Sequence, residues 1–307
     1  MKVFVTGVGG QLGYDVMKEL AKRNISCVGS DLAEKPAEFD LPYVSLDITD
    51  FDAVNGVLTN EKPDAVIHCA AWTAVDAAED EENREKVHLV NVTGTENIAK
   101  ICADIHAKML YISTDYVFDG QGEEPWKPDC KEYAPLNVYG ESKLEGEKAV
   151  AKYLTDFFVV RIAWVFGIHG NNFVKTMLKA GKNHDRLTVV NDQVGTPTYT
   201  FDLAGLLADM IATDKYGYYH VTNSGEYISW YDFAVEIFRQ AAALGEQEYD
   251  SAHLTVVPVT TEEYGLSKAR RPVNSRLDRS KLEENGFQPL PTWQNALQRY
   301  LKQILNQ

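Results

Sequence analysis

Tyr139 and Lys143 stand four residues apart in the stretch Tyr139-Gly140-Glu141-Ser142-Lys143. On a helix this spacing brings both side chains to one face, on the order of 6 Å apart. A free phenol ionises near pH ~10 and a free ammonium near ~10.4, so neither moves protons alone at neutral pH. A fixed ammonium beside the phenol favours the phenolate, and makes the tyrosine a proton donor or acceptor matched to neutral conditions. The same spacing also describes a packed ring with a snorkelling lysine. The elements around the pair decide between the two.

The apolar run 109–112 is expected to be a strand, and it delivers Ser113, Thr114, Asp115 and Tyr116 at its C-terminal end. Ligands of open α/β sheets bind at that end. A hydroxyl from Thr114 can hold a substrate carbonyl or alcohol beside Tyr139, although a threonine at a strand end is often only a turn former. The Gly-, Pro- and charge-rich loop 119–135 is long for a connector and is expected to cover the site.

The chain begins with a short apolar strand, 2–6, then Gly7-x-x-Gly10-Gln11-Leu12-Gly13 and a helical run, 14–22. Glycines there let the backbone approach a pyrophosphate, which rests on the exposed amides and positive end of the helix. A second strand, 25–30, ends at Asp31, which can accept hydrogen bonds from both ribose hydroxyls of NAD and repels the 2'-phosphate of NADP. NADH is therefore the favoured cofactor over NADPH. The third strand, 43–46, is followed by Asp47 and Ile48; Asp47 can meet an adenine or, like Asp50, cap the next helix. The run 65–69 reads as a strand buried on both faces, with small residues from Ala70 and Ala71 past Trp72 that let a cofactor pass close. His68 reads as a core histidine, since no metal-binding spacing accompanies it. The acidic run 79–82 suits the N-terminus of the expected helix 87–103.

Beyond the strand 157–162 the pattern loosens. Trp164 offers a flat apolar face, Asn171 and Asn172 can cap the helix 173–178 or hold phosphate at its N-terminus, and Arg270 and Arg271 supply local positive charge for a diphosphate or pair with carboxylates. A helix at 202–211, a strand at 218–221 and an amphipathic tail helix within 291–307 follow. These elements imply a doubly wound parallel α/β sheet. Residues 1–163 form its dinucleotide-binding domain, to which the chain returns around 191–215, and 164–307 make mainly a smaller substrate lobe.

With 307 residues, 45% of them hydrophobic, the chain can bury a full core. The formal charge of −15 argues against nucleic acid as a partner. No apolar run approaches the ~18 residues of a membrane span, and nothing at the N-terminus reads as a signal peptide. Cys27, Cys69, Cys102 and Cys130 are scattered, as expected of buried reduced thiols. The expected location is cytoplasmic.

The start Thr6-Gly7-Val8-Gly9-Gly10-Gln11-Leu12-Gly13, the loop 70–76, the block 113–120 and the helix 139–147 together resemble the extended short-chain dehydrogenase/reductases. More narrowly they resemble the dTDP-4-dehydrorhamnose reductases, and the likeness continues through 161–167, 170–177, 189–198 and 270–277. The resemblance implies NAD(P)H-dependent reduction of the C4 ketone of dTDP-4-dehydro-L-rhamnose, with Thr114, Tyr139 and Lys143 as the catalytic set. It places Asp115 and Trp164 near the sugar nucleotide, and Gly10 to Leu12, Asp31, Asp47, Ile48 and Ala70 to Trp72 along the cofactor. Related 4,6-dehydratases carry Thr-Asp-Glu at the strand end; Tyr116 in the third place here disfavours elimination. The rival readings are a reductase of another nucleotide 4-keto-6-deoxy sugar, and a non-catalytic regulatory subunit resembling that of methionine adenosyltransferase. Monomer and homodimer are both open. Some family members dimerise through a magnesium site built from acidic residues, in which Asp15 can take part, but neither metal nor dimer is established by the sequence itself.

Overall fold

Runs such as Val3-Phe4-Val5 and Ala65-Val66-Ile67 put apolar side chains on both faces of a strand, which demands a sheet covered on both sides. The computed structural model, which describes residues 1–35 and 39–305, contains that sheet. Its first half runs β1 (Lys2–Thr6), α1 (Gln11–Lys22), β2 (Ser26–Asp31), β3 (Tyr43–Ser45), α2 (Phe51–Glu61) and β4 (Ala65–His68). Then come α3 (Val75–Ala78), α4 (Glu81–His88), a π-helical turn Leu89–Gly94, α5 (Thr95–Ile105), β5 (Lys108–Thr114), α6 (Val138–Tyr153) and β6 (Phe157–Ile162).

The second half begins with β7 (Val165–Phe166), α7 (Phe173–Asn183), β8 (Arg186–Val190), β9 (Val194–Gly195), β10 (Thr198–Tyr199) and α8 (Thr200–Ile211). It continues with β11 (Gly217–His220), β12 (Ile228–Ser229), α9 (Trp230–Ala243), β13 (Thr255–Val259), α10 (Thr261–Tyr264), α11 (Ser280–Glu284) and α12 (Trp293–Leu305). The tail helix is thus present, while residues 306 and 307 lie outside the described residues.

Seven parallel strands are ordered β11-β6-β5-β4-β1-β2-β3. Strand order reverses between β1 and β4, and a doubly wound sheet opens its ligand crevice at such a switch point. One apolar core lies on each face of the sheet: α1 and α8 cover one side, α2 and α5 the other. A third core joins α7, α9 and α12 around Phe166, Phe233 and Trp293 and belongs to the smaller lobe. The chain re-enters the sheet through α8 and β11, and Leu282, Phe287 and Leu290 pack there again.

The single helix expected over 87–103 is instead α4, the π-helical turn and α5 in succession. A π turn frees backbone geometry that an α-helix would use up, and such turns recur at functional sites. Here it aims Asn91 at neighbouring loops. Its side-chain oxygen accepts the Trp72 amide at 2.7 Å, and its amide donates to the Trp72 carbonyl at 3.1 Å and to Ser142 Oγ at 2.9 Å. The long loop 119–135 also departs from expectation. It packs on the segment 274–278, with the Trp126 amide donating to the Arg276 carbonyl at 2.9 Å, and contributes no lining to the main cavity. Cys27 and Cys102 are buried as expected, whereas Cys69 and Cys130 are half-buried; all four are free thiols.

The β1–α1 turn is as tight as a glycine-only turn allows. Gly7 has φ +73° and a Cβ on it would meet the Ala70 amide nitrogen at 2.6 Å; one on Gly13 would meet the Gly7 carbonyl carbon at 2.7 Å. Gly13→Ala should therefore cost about 1–3 kcal/mol, seen as a lowered denaturation midpoint. Gly56→Ala, in α2 with nothing within 4 Å of the added methyl, should leave that midpoint unchanged or raise it.

Candidate active site

A cavity of about 600 Å³ opens along the C-terminal ends of the strands. Its floor is the glycine turn, one wall is Asp31, Asp47 and Ile48, another is Ala70 and Ala71, and its far end holds Thr114, Tyr139 and Lys143. Three elements assemble that end. β5 terminates at Thr114, whose hydroxyl donates to Asp115 Oδ1 at 3.0 Å and accepts the Tyr116 amide at 3.2 Å. Asn137 caps α6 by accepting the Gly140 amide at 2.8 Å, and Glu79 accepts the Val138 amide at 2.8 Å. The acidic run at 79–82 therefore does more than meet solvent: Glu79 anchors the start of α6, a contact across 59 residues that local pattern cannot foreshadow.

Burial governs the electrostatics. Lys143 is 3% exposed, its ammonium 4.1 Å from the centre of the Tyr111 ring. Desolvation brings its pKa down to about 7, while the nearby Glu147 carboxylate resists that fall. Burial likewise pushes the Tyr139 phenol upward, opposed by a hydrogen bond with Thr114. Tyr116 stands edge-on to Tyr139 with ring centres 5.6 Å apart, and burial raises it to about 12. Asp115 is 2% exposed and raised to about 6 by desolvation, which the Ser275 and Thr114 side chains oppose; its Oδ2 has no partner in good hydrogen-bond geometry. An unpaired buried carboxylate oxygen at a cavity wall is costly, and it persists where a ligand supplies the missing donor.

Most residues singled out from sequence meet at this one cavity: Gly7, Gly10, Gln11, Leu12 and Gly13 on the floor, and Asp31, Asp47 and Ile48 beside them. Asp31 accepts the Gly9 amide at 2.9 Å and the Leu32 amide at 2.8 Å, so its carboxylate is fixed at the mouth of the glycine turn. Asp47 accepts the Thr49 amide and hydroxyl, and Asp50, not Asp47, caps α2. Gly10 is the N-cap of α1 and offers no side chain to the first-turn amides. A glycine cradle, uncapped amides and a carboxylate at the end of β2 fit a dinucleotide.

Three of the expected residues stand apart from the lining. Trp72 is held by its backbone to Asn91, and its indole donates to the Ala74 carbonyl at 3.1 Å. Asn172 caps α7 by accepting the Lys175 amide at 3.1 Å, and its own amide donates to Gly167 and Tyr300; the neighbouring Asn171 is the one at the cavity. Arg271 is paired with Asp76 at 2.7 Å and donates to the Tyr116 hydroxyl at 3.2 Å. Asp15 receives a hydrogen bond from Thr200 at 2.5 Å, and among the described residues no group of three or more His, Cys, Asp or Glu could hold a metal ion. His68 is a core residue, hydrogen-bonded to Thr6 and Thr95 and kept neutral as burial lowers its pKa to about 3.

Two features carried no sequence signal. Trp164 adopts a left-handed backbone, φ +51°, which is strained for a bulky residue. Trp230, from the start of α9, stacks on it with ring centres 3.7 Å apart and 15° between planes, and both line the cavity. The strain turns Trp164 toward the crevice, and a distant helix supports it.

The family model described as the RmlD substrate binding domain matches residues 1–306. A dTDP-4-dehydrorhamnose reductase of Aggregatibacter actinomycetemcomitans is 39% identical, over 96% of this chain and 97% of its own. Among solved structures, one of that name from Clostridium acetobutylicum superposes with a TM-score of 0.88 at 40% identity, covering 99% of this chain and all of its own. Another from Bacillus anthracis, in complex with NADP, has a TM-score of 0.86 at 37% identity over 98% of this chain and 99% of its own.

Asp115 sets a checkable pH effect. In the folded chain it keeps its proton to about pH 6, whereas the ordinary value is 3.8. The folded state therefore binds more protons in between, and stability falls as pH rises through that window, by about 3 kcal/mol in total. Asp115→Asn should raise Tm above wild type at about pH 7.5, with the gain shrinking toward about pH 4; no gain at the higher pH would contradict the assignment.

Proposed function

The chain belongs to the RmlD substrate-binding family, and from that premise we propose how its own residues carry out the reaction. It is an NAD(P)H-dependent oxidoreductase that reduces the C4 ketone of dTDP-4-dehydro-L-rhamnose in dTDP-rhamnose biosynthesis. The observation that carries the residue assignment is the meeting of Thr114, Tyr139 and Lys143 at one end of a cavity whose other end is the glycine cradle. The Thr114 hydroxyl orients the ketone oxygen, and Tyr139 gives it a proton as negative charge develops there. Lys143, as the ammonium, stabilises the phenolate that remains. When bound, the reduced nicotinamide supplies the hydride. Asp115, with its unpartnered Oδ2, takes a hydrogen bond from a sugar hydroxyl, and the Trp164–Trp230 stack presents an apolar face to the deoxysugar.

Gly7 to Gly13 and the first turn of α1 would hold the pyrophosphate, Asp47 and Ile48 would serve the adenine, and Ala70 and Ala71 would let the nicotinamide half pass close to the backbone. Asp31 favours NADH: its carboxylate, fixed by the Gly9 and Leu32 amides, would repel a 2'-phosphate brought beside the end of β2. We assign the dinucleotide to the sheet domain and the sugar nucleotide to the lobe of α7, α9 and α12. The four free thiols favour a reducing compartment, the cytoplasm. Among the described residues no helix is long and apolar enough to cross a membrane.

Tyr139→Phe should lower kcat by about 10²–10⁴, measured as NADH oxidation with dTDP-4-dehydro-L-rhamnose, while NADH binding stays nearly intact; unchanged turnover would overturn the residue assignment. Asp31→Ala should raise the ratio of kcat/KM for NADPH over NADH by about tenfold, the effect of about 1.4 kcal/mol, and an unmoved ratio would remove Asp31 from cofactor selection.

A further inference from the structure

Behind the reacting groups lies a buried ion pair that the chemistry above does not use. Glu147 follows Lys143 by four residues on α6, as Lys143 follows Tyr139, so the three stand on successive turns of one helix face. Glu147 is 1% exposed and Arg161, on β6, is 0% exposed. The guanidinium grips the carboxylate with Nε to Oε1 at 2.8 Å and Nη2 to Oε2 at 2.7 Å. Ser113, the residue before Thr114, donates its hydroxyl to Oε1 at 2.5 Å. Arg161 is in turn fixed by the Pro128 carbonyl at 3.1 Å and the Tyr133 hydroxyl at 2.9 Å. A pair removed from water this fully is a poor source of stability, since desolvation offsets most of the attraction.

We propose that Glu147, locked by Arg161 and Ser113, is a positioning residue that keeps the Lys143 ammonium charged within its apolar surroundings. The inference rests on the reductase reading above. The other groups facing Lys143 do not supply a negative charge. From its own helix Tyr139 is a phenol pushed upward by burial. From the end of β4, His68 is neutral and burial raises the Cys69 thiol to about 12. From β5, the Tyr111 phenol is driven up by burial and by Glu147 itself. Glu147 is faced by Arg161, Ser113 and Tyr111, and by Tyr218 of β11, whose phenol burial raises to about 12. Among these, Glu147 is the source that opposes desolvation of the lysine, and its attachment to Ser113 ties that field to the strand that carries Thr114.

The test is the pH dependence of kcat/KM for wild type, Glu147→Gln and Glu147→Asp, with NADH binding and Tm recorded alongside. Glu147→Gln should move the alkaline limb down by about one pH unit, so that activity falls about tenfold near pH ~8 and little near pH ~6; Glu147→Asp, which keeps the charge, should restore most of the limb. Loss by the same factor at every pH, or an unmoved limb, would overturn the proposal and leave Glu147 a packing residue. If Glu147→Gln does not fold, combining it with Arg161→Met removes the guanidinium that the first change leaves without a partner. A downward displacement of the limb smaller than in Glu147→Gln is expected there, because the guanidinium removed with the carboxylate carries the same sign as Lys143; a limb displaced upward would overturn the proposal. Inactive wild-type enzyme would instead overturn the reductase reading.

Discussion

A lysine ammonium held out of water beside a tyrosine is the constraint around which this molecule is arranged. Lys143 is 3% exposed at the end of the cavity, and its charge is sustained by the Tyr111 ring beneath it and the Glu147 carboxylate one turn along. That demands an exact relation between α6 and β5. The relation is secured from outside the pair: Asn137 and Glu79 hold the start of α6, and Asn91 reaches across from the π turn to Ser142. Displacing any of these anchors would move Tyr139 relative to Thr114.

The second half of the site follows from backbone, with side chains adding selectivity. Gly7 and Gly13 let β1, α1 and the loop after β4 close to van der Waals contact, and Gly10 leaves the α1 N-terminus without a side-chain cap. The site also holds local costs: the left-handed Trp164 and the unpartnered oxygen of Asp115. Residues that strain or desolvate the free protein at a cavity wall are those whose needs a ligand meets, which is why stability and activity oppose each other at such positions.

Much of this was legible in the sequence, because the fold's signals are local. Buried parallel strands read as continuous apolar runs, the glycine turn as a strand-to-helix break, and the Tyr139–Lys143 step as one helix face; the observed sheet has the expected doubly wound class. What escaped depends on contacts between distant segments or on backbone geometry. The break of one long helix at Leu89–Gly94, the anchoring of α6 by Glu79, the partnership of Trp230 with Trp164, and the choice of Asp76 as the carboxylate that pairs with Arg271 all require knowing which segments meet. The loop 119–135 reads as a lid from its length alone, yet its Trp126, Pro128 and Tyr133 are committed to the segment 274–278 and to Arg161.

The most direct test is to titrate Lys143 itself, by following its side-chain nitrogen resonance against pH in the intact protein, with Lys143→Met to assign the signal. An ammonium desolvated to this degree should titrate near 7, well below the ordinary 10.5. A midpoint close to 10.5 would mean that the lysine is hydrated and unperturbed, and would contradict the electrostatic account of the pair.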